Sequence, residues 1–175
     1  TTPAAYRYIM IIGVLPAYRR RGIGRQMLEK VLGAANFDMG FQTVEYVASA
    51  LVDLAFHDGA APADPMARQA EVLAEIGMPR AIIMRHATPH FSHVFAGYGY
   101  SSGYYSYMWS EVMDADAFAA FEEAGGAFDA ERAKALEEHI LSTGGSVDPA
   151  ELYTAFRGRL PGVEALLKGR GLAAE

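Results

Sequence analysis

Five of the ten tyrosines fall between positions 98 and 107: Tyr98, Tyr100, Tyr104, Tyr105 and Tyr107, interleaved with Gly97, Gly99 and Gly103. A phenol hydroxyl donates a hydrogen bond without carrying charge at neutral pH. Set on a glycine-flexible turn that enters a helix, such hydroxyls can point at a developing oxyanion. On a helix starting near Ser101, Tyr104 and Tyr107 stand three apart and share a face, and Tyr100 lies on the turn before it. The plainer reading is an aromatic core stripe that continues into Met108 and Trp109.

Three of the five histidines, His86, His90 and His93, stand just upstream. Spacings of four and three would place them on one helical face, where they could bind zinc. Pro89 opposes a regular helix there, and no carboxylate sits at a ligand spacing, so no metal site is assigned. A histidine serving as a hydrogen-bond donor at a substrate site fits this segment better. His57 and His139 lie near helix ends and read as structural or solvated.

A third cluster is basic. Residues 19–24 read Arg-Arg-Arg-Gly-Ile-Gly, between an apolar run and a helical pattern. Glycines let backbone N–H groups approach an anion, and a helix N-terminus with nearby arginines adds positive potential. Such a loop suits a pyrophosphate, yet it is neither a Walker loop nor a dinucleotide fingerprint. A solvated strand–helix turn without a ligand is the other reading.

The elements that must position these groups are mostly helical. Residues 7–15 read as a buried strand closed by Pro16, followed by a helix from Gly22. Asn36 to Phe56 carries an apolar stripe of Phe41, Val44, Ala48, Leu51, Val52 and Ala55. Asp64-Pro65 opens a helix that Gly77 and Pro79 end. Residues 80–100 are less regular. Ser101 or Ser102 is expected to cap a helix through Val112, and Asp114 to Glu123 to form a further one. Asp129 to Leu141, Asp148 to about Phe156, and a short stretch from Pro161 to Gly169 complete the set. The Asp148-Pro149-Ala150-Glu151 start combines a capping Asp, Pro at the first helical position and Glu three residues on. No internal repeat or low-complexity tract is present.

At 175 residues the chain is one domain or two small ones, large enough to bury a core without disulfides. It has no cysteine, which excludes thiolate zinc sites and cysteine nucleophiles and suits a reducing cytoplasm. The net charge of −6 hides a step. Residues 1–35 hold six basic residues and one acidic, and the remainder nine basic and twenty acidic. An acidic body argues against nucleic-acid partners. The longest apolar run, Tyr8 to Leu15, is far too short to cross a membrane, and no secretion signal is recognisable. Thr1 stands where Met would begin a gene product, so the sequence reads as an engineered piece or a fragment.

Two resemblances follow. Residues 8–29, from Tyr8-Ile9-Met10 through Arg19-Arg20-Arg21-Gly22-Ile23-Gly24 to Glu29, resemble the acetyl-coenzyme A loop of GNAT-type N-acetyltransferases. Arg19, Gly22 and Gly24 match that family's Arg/Gln-x-x-Gly-x-Gly/Ala pattern, which implies acetyl-coenzyme A binding at those three residues.

The second resemblance is broader. The run from His90-Phe91-Ser92-His93 through Tyr98-Gly99-Tyr100 and Tyr104-Tyr105-Ser106-Tyr107 to Val112 is similar to the C-terminal part of the thimet oligopeptidase and peptidyl-dipeptidase family of zinc metallopeptidases. It looks closest to the bacterial peptidyl-dipeptidase branch. Phe41 to Asp53, Ile76 to Pro79, Asp114 to Phe118, Ile140 to Ser146, Phe156 to Arg159 and Arg170 to Leu172 extend the likeness over about residues 34–172. The resemblance implies a mainly α fold, the helical C-terminal part of a metallopeptidase catalytic domain, preceded here by one short strand-loop-helix unit. It implies a head at 1–33, a peptidase-like body at 34–175, and short peptides as substrates. It implies oxyanion stabilisation by Tyr107, substrate bonding by Tyr100, a site histidine at His93, and a further substrate contact at Tyr104. In that family a zinc-bound water attacks the peptide.

The family holds zinc through His-Glu-x-x-His, which occurs nowhere in these 175 residues. A polypeptide of this sequence alone is not expected to hydrolyse peptides by the family's mechanism. A peptidase segment whose missing N-terminal part is its partner, a fusion, or a misassigned head each accounts for this. The expected function is part of the substrate cleft of a cytoplasmic peptidyl-dipeptidase or oligopeptidase. An acetyl-coenzyme A-dependent acetyltransferase and a non-catalytic helical module are the alternatives.

Overall fold

A computed structural model describes residues 16–173. The strand expected at residues 7–15 lies outside them. Among the described residues the regular structure is helical and there is no strand, in keeping with the mainly α reading. Among the described residues no helix is long and apolar enough to cross a membrane.

Packing separates two compact units. One comprises residues 38–109, and the other joins the segment ending at Phe37 to everything from Ser110 onward.

In the 38–109 unit, α2 (Met39–His57) follows α1 (Ile23–Ala35) of the other unit and precedes α3 (Pro65–Glu75). The start signal at Asp64 works as its residue types dictate. Its Oδ1 accepts from the Met66 N–H at 2.9 Å and the Ala67 N–H at 3.0 Å, and Pro65 occupies a position that has no amide to satisfy. After α3 the chain becomes irregular, as Pro89 foretells. A 3₁₀ turn at Thr88–His90 leads into the one-turn helix α4 (Ser92–Phe95). Gln69 of α3 pins that turn, its Oε1 accepting from the Thr88 amide at 2.8 Å and the Thr88 hydroxyl at 2.9 Å. The core joins Ala50, Val52, Val72, Met84, Phe91, Val94 and Tyr104.

The apolar stripe read along α2 is buried only in part: Ala48 and Val52 are inside and Ala55 packs on the core. Phe41, Val44 and Leu51 are exposed, whereas Ala48, Ser49, Ala50, Val52 and Asp53 are buried. Small side chains let neighbouring segments close on that face, and Asp53 stays inside because it is fully hydrogen-bonded.

The other unit packs Ala120, Phe121 and Phe156 with Ala117, Ala135, Leu136 and Ile140. A single helix, α5 (Ser106–Glu123), replaces the two expected between Ser101 and Glu123. α6 (Ala130–Leu136) is capped by Asp129 on the Arg132 amide at 2.8 Å and runs on as a π-turn at Glu137–Leu141. α7 (Pro149–Arg157) starts on Asp148 as its signal predicts, and ends at Gly158 with φ of 84°, a left-handed conformation that favours glycine. α8 (Glu164–Gly169) closes the described chain.

Candidate functional site

The tyrosines are brought to one place by a loop, not by the helix expected to start at Ser101. Ser102 has φ of 58°, in the left-handed region, and helix α5 begins only at Ser106. The reason is a competing acceptor. Asp53 on α2 is completely buried, and its two carboxylate oxygens take the backbone amides of this segment. Oδ1 accepts from the Ser102 N–H at 3.1 Å and Oδ2 from the Tyr104 N–H at 3.0 Å. Charge-assisted bonds of this kind outweigh the modest cost of a left-handed serine. Within the loop the Gly103 amide donates to the Tyr100 carbonyl at 3.0 Å, closing a tight turn. A side chain at position 103 would put its Cβ 3.1 Å from that carbonyl oxygen, a tight approach that favours glycine in this turn.

A second anchor comes from two turns further back on α2. The Tyr46 hydroxyl donates to the Tyr104 carbonyl and accepts from the Met108 amide at 3.3 Å, while its ring stacks on Tyr104 at 5.1 Å. Asp53 and Tyr46 thus hold the backbone at Ser102, Tyr104 and Met108.

This places the expected site residues as follows. Tyr104 is buried, its ring edge-on to Phe91 at 4.9 Å. Tyr107, on the first turn of α5, packs edge-on against Tyr104 at 5.7 Å and is 45% exposed. His93 on α4 reaches across: its Nε2 lies 2.9 Å from the Tyr107 hydroxyl. The His93 ring stacks on Tyr100 at 4.6 Å, and Tyr100 is 56% exposed. His93, Tyr100, Tyr104 and Tyr107 therefore form one contiguous cluster with a buried base and an exposed rim. Tyr98 is fully exposed and Tyr105 half-exposed.

Sequence reasoning missed Asp53, His57 and Tyr46. The signal for Asp53 was a carboxylate inside the apolar run Leu51-Val52-Asp53-Leu54. His57 is its partner, the structural one of the two readings given to this histidine at a helix end. Its Nδ1 sits 2.9 Å from Asp53 Oδ1 and 2.8 Å from the Asp53 carbonyl. Both partners are acceptors, so Nδ1 carries the hydrogen.

His86, His90 and His93 do not form a metal site. The 3₁₀ turn at Thr88–His90 breaks any shared helical face; His86 packs on Phe91 at 5.2 Å and His93 on Tyr100. Among the described residues no three or more His, Asp or Glu side chains converge on a point that could hold a metal ion. The donor set that zinc needs is not in this part of the chain.

The other unit carries a buried ionic cluster. Asp116, 2% exposed, accepts from the Tyr153 hydroxyl at 2.8 Å, Arg157 Nε at 3.2 Å and an Arg159 guanidinium nitrogen at 2.5 Å. Arg157 also grips both Glu123 oxygens, at 2.7 and 2.8 Å. That hydrogen bonding holds the Glu123 carboxyl below its ordinary range and raises the guanidinium of Arg157. Burial, then the bond to Asp116, pushes the Tyr153 phenol well above its usual value. A pocket of about 440 Å³ opens beside this cluster, bordered by Phe118, Glu122, Arg159 and Lys168. The arrangement clamps α5 to α7 and the Gly158 turn.

In the basic segment, Pro16–Tyr18 is a 3₁₀ turn, Arg20 and Gly22 are left-handed at φ of 60° and 73°, and α1 starts at Ile23. Arg19 and Gly22 are exposed, Gly24 lies in the first turn of α1, and the Arg21 guanidinium sits 5.6 Å over the Tyr18 ring.

Comparison with known proteins agrees with the peptidase resemblance. Residues 18–172 match peptidase family M3. The chain is 40% identical over 152 residues to oligopeptidase A of Escherichia coli strain K12, an alignment covering 85% of this chain and 22% of that protein. It is 37% identical over 161 residues to the probable cytosolic oligopeptidase A of Arabidopsis thaliana, covering 83% of this chain and 22% of that one. With the dipeptidyl carboxypeptidase of Escherichia coli strain K12 it shares 32% identity over 152 residues, covering 84% and 22%. The chain thus spans about a fifth of the length of these relatives. The family match takes in Arg19, Gly22 and Gly24, and the comparisons lend the acetyl-coenzyme A reading no support.

Proposed function

The chain belongs to peptidase family M3, and we propose that it supplies the tyrosine-bearing wall of an oligopeptidase substrate cleft. The observation that carries this reading is the His93–Tyr107 pair beside the exposed Tyr100 ring. When His93 Nε2 carries its hydrogen, it donates to the Tyr107 oxygen. The phenol O–H is then left to donate to a peptide carbonyl, and the bond from His93 makes it a stronger donor. A donor fixed in advance of the reaction stabilises the oxyanion that forms on that carbonyl. Tyr100 would contact the substrate backbone or a side chain, and Tyr104 would support the wall from beneath. The substrates fitting this reading are short peptides, with dipeptide removal or internal cleavage as the reaction.

Zinc would not be held by the residues described here, which lack the donor set. We therefore assign these residues binding and oxyanion stabilisation only. The metal-holding residues would belong to a further stretch of polypeptide, the natural partner of this one.

A chimera tests the reading. The aligned stretch of Escherichia coli oligopeptidase A is replaced by residues from this chain, and hydrolysis of short peptides is followed. The chimera should be active, and Tyr107→Phe should lower its kcat by roughly 10²- to 10³-fold with a small change in KM. A folded chimera whose activity ignores Tyr107→Phe overturns the assignment.

A further inference from the structure

We propose that Asp53 is a positioning residue: its buried carboxylate sets the two segments that must meet for His93 to reach Tyr107. A buried carboxylate survives only when its oxygens are satisfied by donors. Asp53 receives the Ser102 amide, the Tyr104 amide and His57 Nδ1–H. The two amides bracket Gly103, so the carboxylate grips the backbone immediately before Tyr107's helix. The third donor leads the other way. The His57 ring stacks on Phe95 at 5.3 Å, and Phe95 lies on α4, two residues after His93. One side chain is therefore bonded directly to the segment bearing Tyr107 and, through His57, packed against the segment bearing His93.

The neutral anchor at Tyr46 holds the Tyr104–Met108 side. Asp53 serves both, the loop directly and α4 through His57. Its charge is what lets one group hold two backbone amides and an imidazole at once. An asparagine in its place would turn an NH₂ group toward at least one of those donors. The inference rests on reading His93 and Tyr107 as the pair that faces substrate, but its test does not use peptide turnover.

Amide hydrogen exchange on the unsubstituted chain comes first. The Ser102 and Tyr104 amides should exchange roughly 100-fold or more slowly than an unstructured chain, although they sit in a loop. Free exchange at both overturns the proposal. In Asp53→Asn their protection should fall by roughly 10- to 100-fold, the value of a lost bond to a charged group, while Val72 and Phe121 keep theirs. The proton–proton contact between the His93 and Tyr107 rings, read by NMR, should disappear in the same variant. A merely structural carboxylate gives the opposite pattern: protection lost evenly across the unit, with the ring contact intact in the molecules that remain folded. Should Asp53→Asn not fold, His57→Ala leaves both backbone bonds in place. It should weaken the His93–Tyr107 contact alone, and an unchanged contact overturns the link to α4. A normal result here beside an inactive chimera would sink the catalytic reading and leave the positioning role standing.

Discussion

His93 and Tyr107 meet at 2.9 Å between ring nitrogen and phenol oxygen, although one lies on a single-turn helix and the other at the start of an 18-residue helix. The contact depends on loop geometry, because neither helix directs its side chain to the other by sequence spacing. If Nε2 donates to the phenol oxygen, His93→Gln should keep part of the effect through its amide N–H. In the active chimera His93→Ala should lower kcat by about tenfold, the worth of one net hydrogen bond, and His93→Gln by less. Steady-state kinetics on the two variants decide this; equal losses would argue that only the ring's stacking on Tyr100 matters.

Gly103→Ala tests the tight turn. The added Cβ would lie 3.1 Å from the Tyr100 carbonyl oxygen, a backbone atom that cannot rotate away. The expected destabilisation is about 1–3 kcal/mol, the usual range for overpacking, measured by urea unfolding. An unchanged midpoint would show that the loop absorbs the methyl by shifting.

Asp116 is the charge on which the second unit turns. Asp116→Ala leaves Arg157 and the Tyr153 hydroxyl without their buried acceptor. The expected loss is about 3–5 kcal/mol, as for other broken buried pairs. Asp116→Asn, which keeps the shape and one acceptor, should cost less. Chemical denaturation of both variants ranks them, and a milder effect from the alanine would contradict the ionic account.

The Glu123–Arg157 contact carries a pH dependence whose sign is fixed. The folded carboxyl is held below its ordinary value, chiefly by the Arg157 hydrogen bond, so folding favours the ionised form. Its contribution is complete above the ordinary carboxylate range and disappears as pH falls through the lowered folded value. Melting temperatures measured against pH should fall more steeply in acid for the native chain than for Glu123→Gln. Parallel curves would refute it.

Much of the helical frame could be read before the structure because its signals are local. Asp64-Pro65 and Asp148-Pro149 start helices by the bonds their residue types make. Pro89 interrupts where it stands. What escaped was long-range. Ser101 and Ser102 carry a valid capping signal, but the amides they would organise are claimed by Asp53, 49 and 51 residues away. The stripe along α2 obeyed helical periodicity and included the buried Ala48 and Val52, but it also took in the exposed Phe41, Val44 and Leu51 and passed over Ser49, Ala50 and Asp53, because burial there follows small residues and one satisfied carboxylate. The grouping of the tyrosines was visible in composition. Their convergence with His93 depends on Tyr46 and Asp53, and no spacing rule connects those positions to the loop.

The packing of Tyr104 has an optical consequence. Its ring lies within 6 Å of the Tyr46, Phe91, His93 and Tyr107 rings, at 5.1, 4.9, 5.9 and 5.7 Å. Transition dipoles held that close in one fixed, handed arrangement couple, and coupled tyrosines rotate near-ultraviolet light. Ellipticity near the phenol band therefore reports whether the loop is seated, separately from the far-ultraviolet signal of the helices around it. The cluster is a built-in chromophore for the loop that Asp53 and Tyr46 hold.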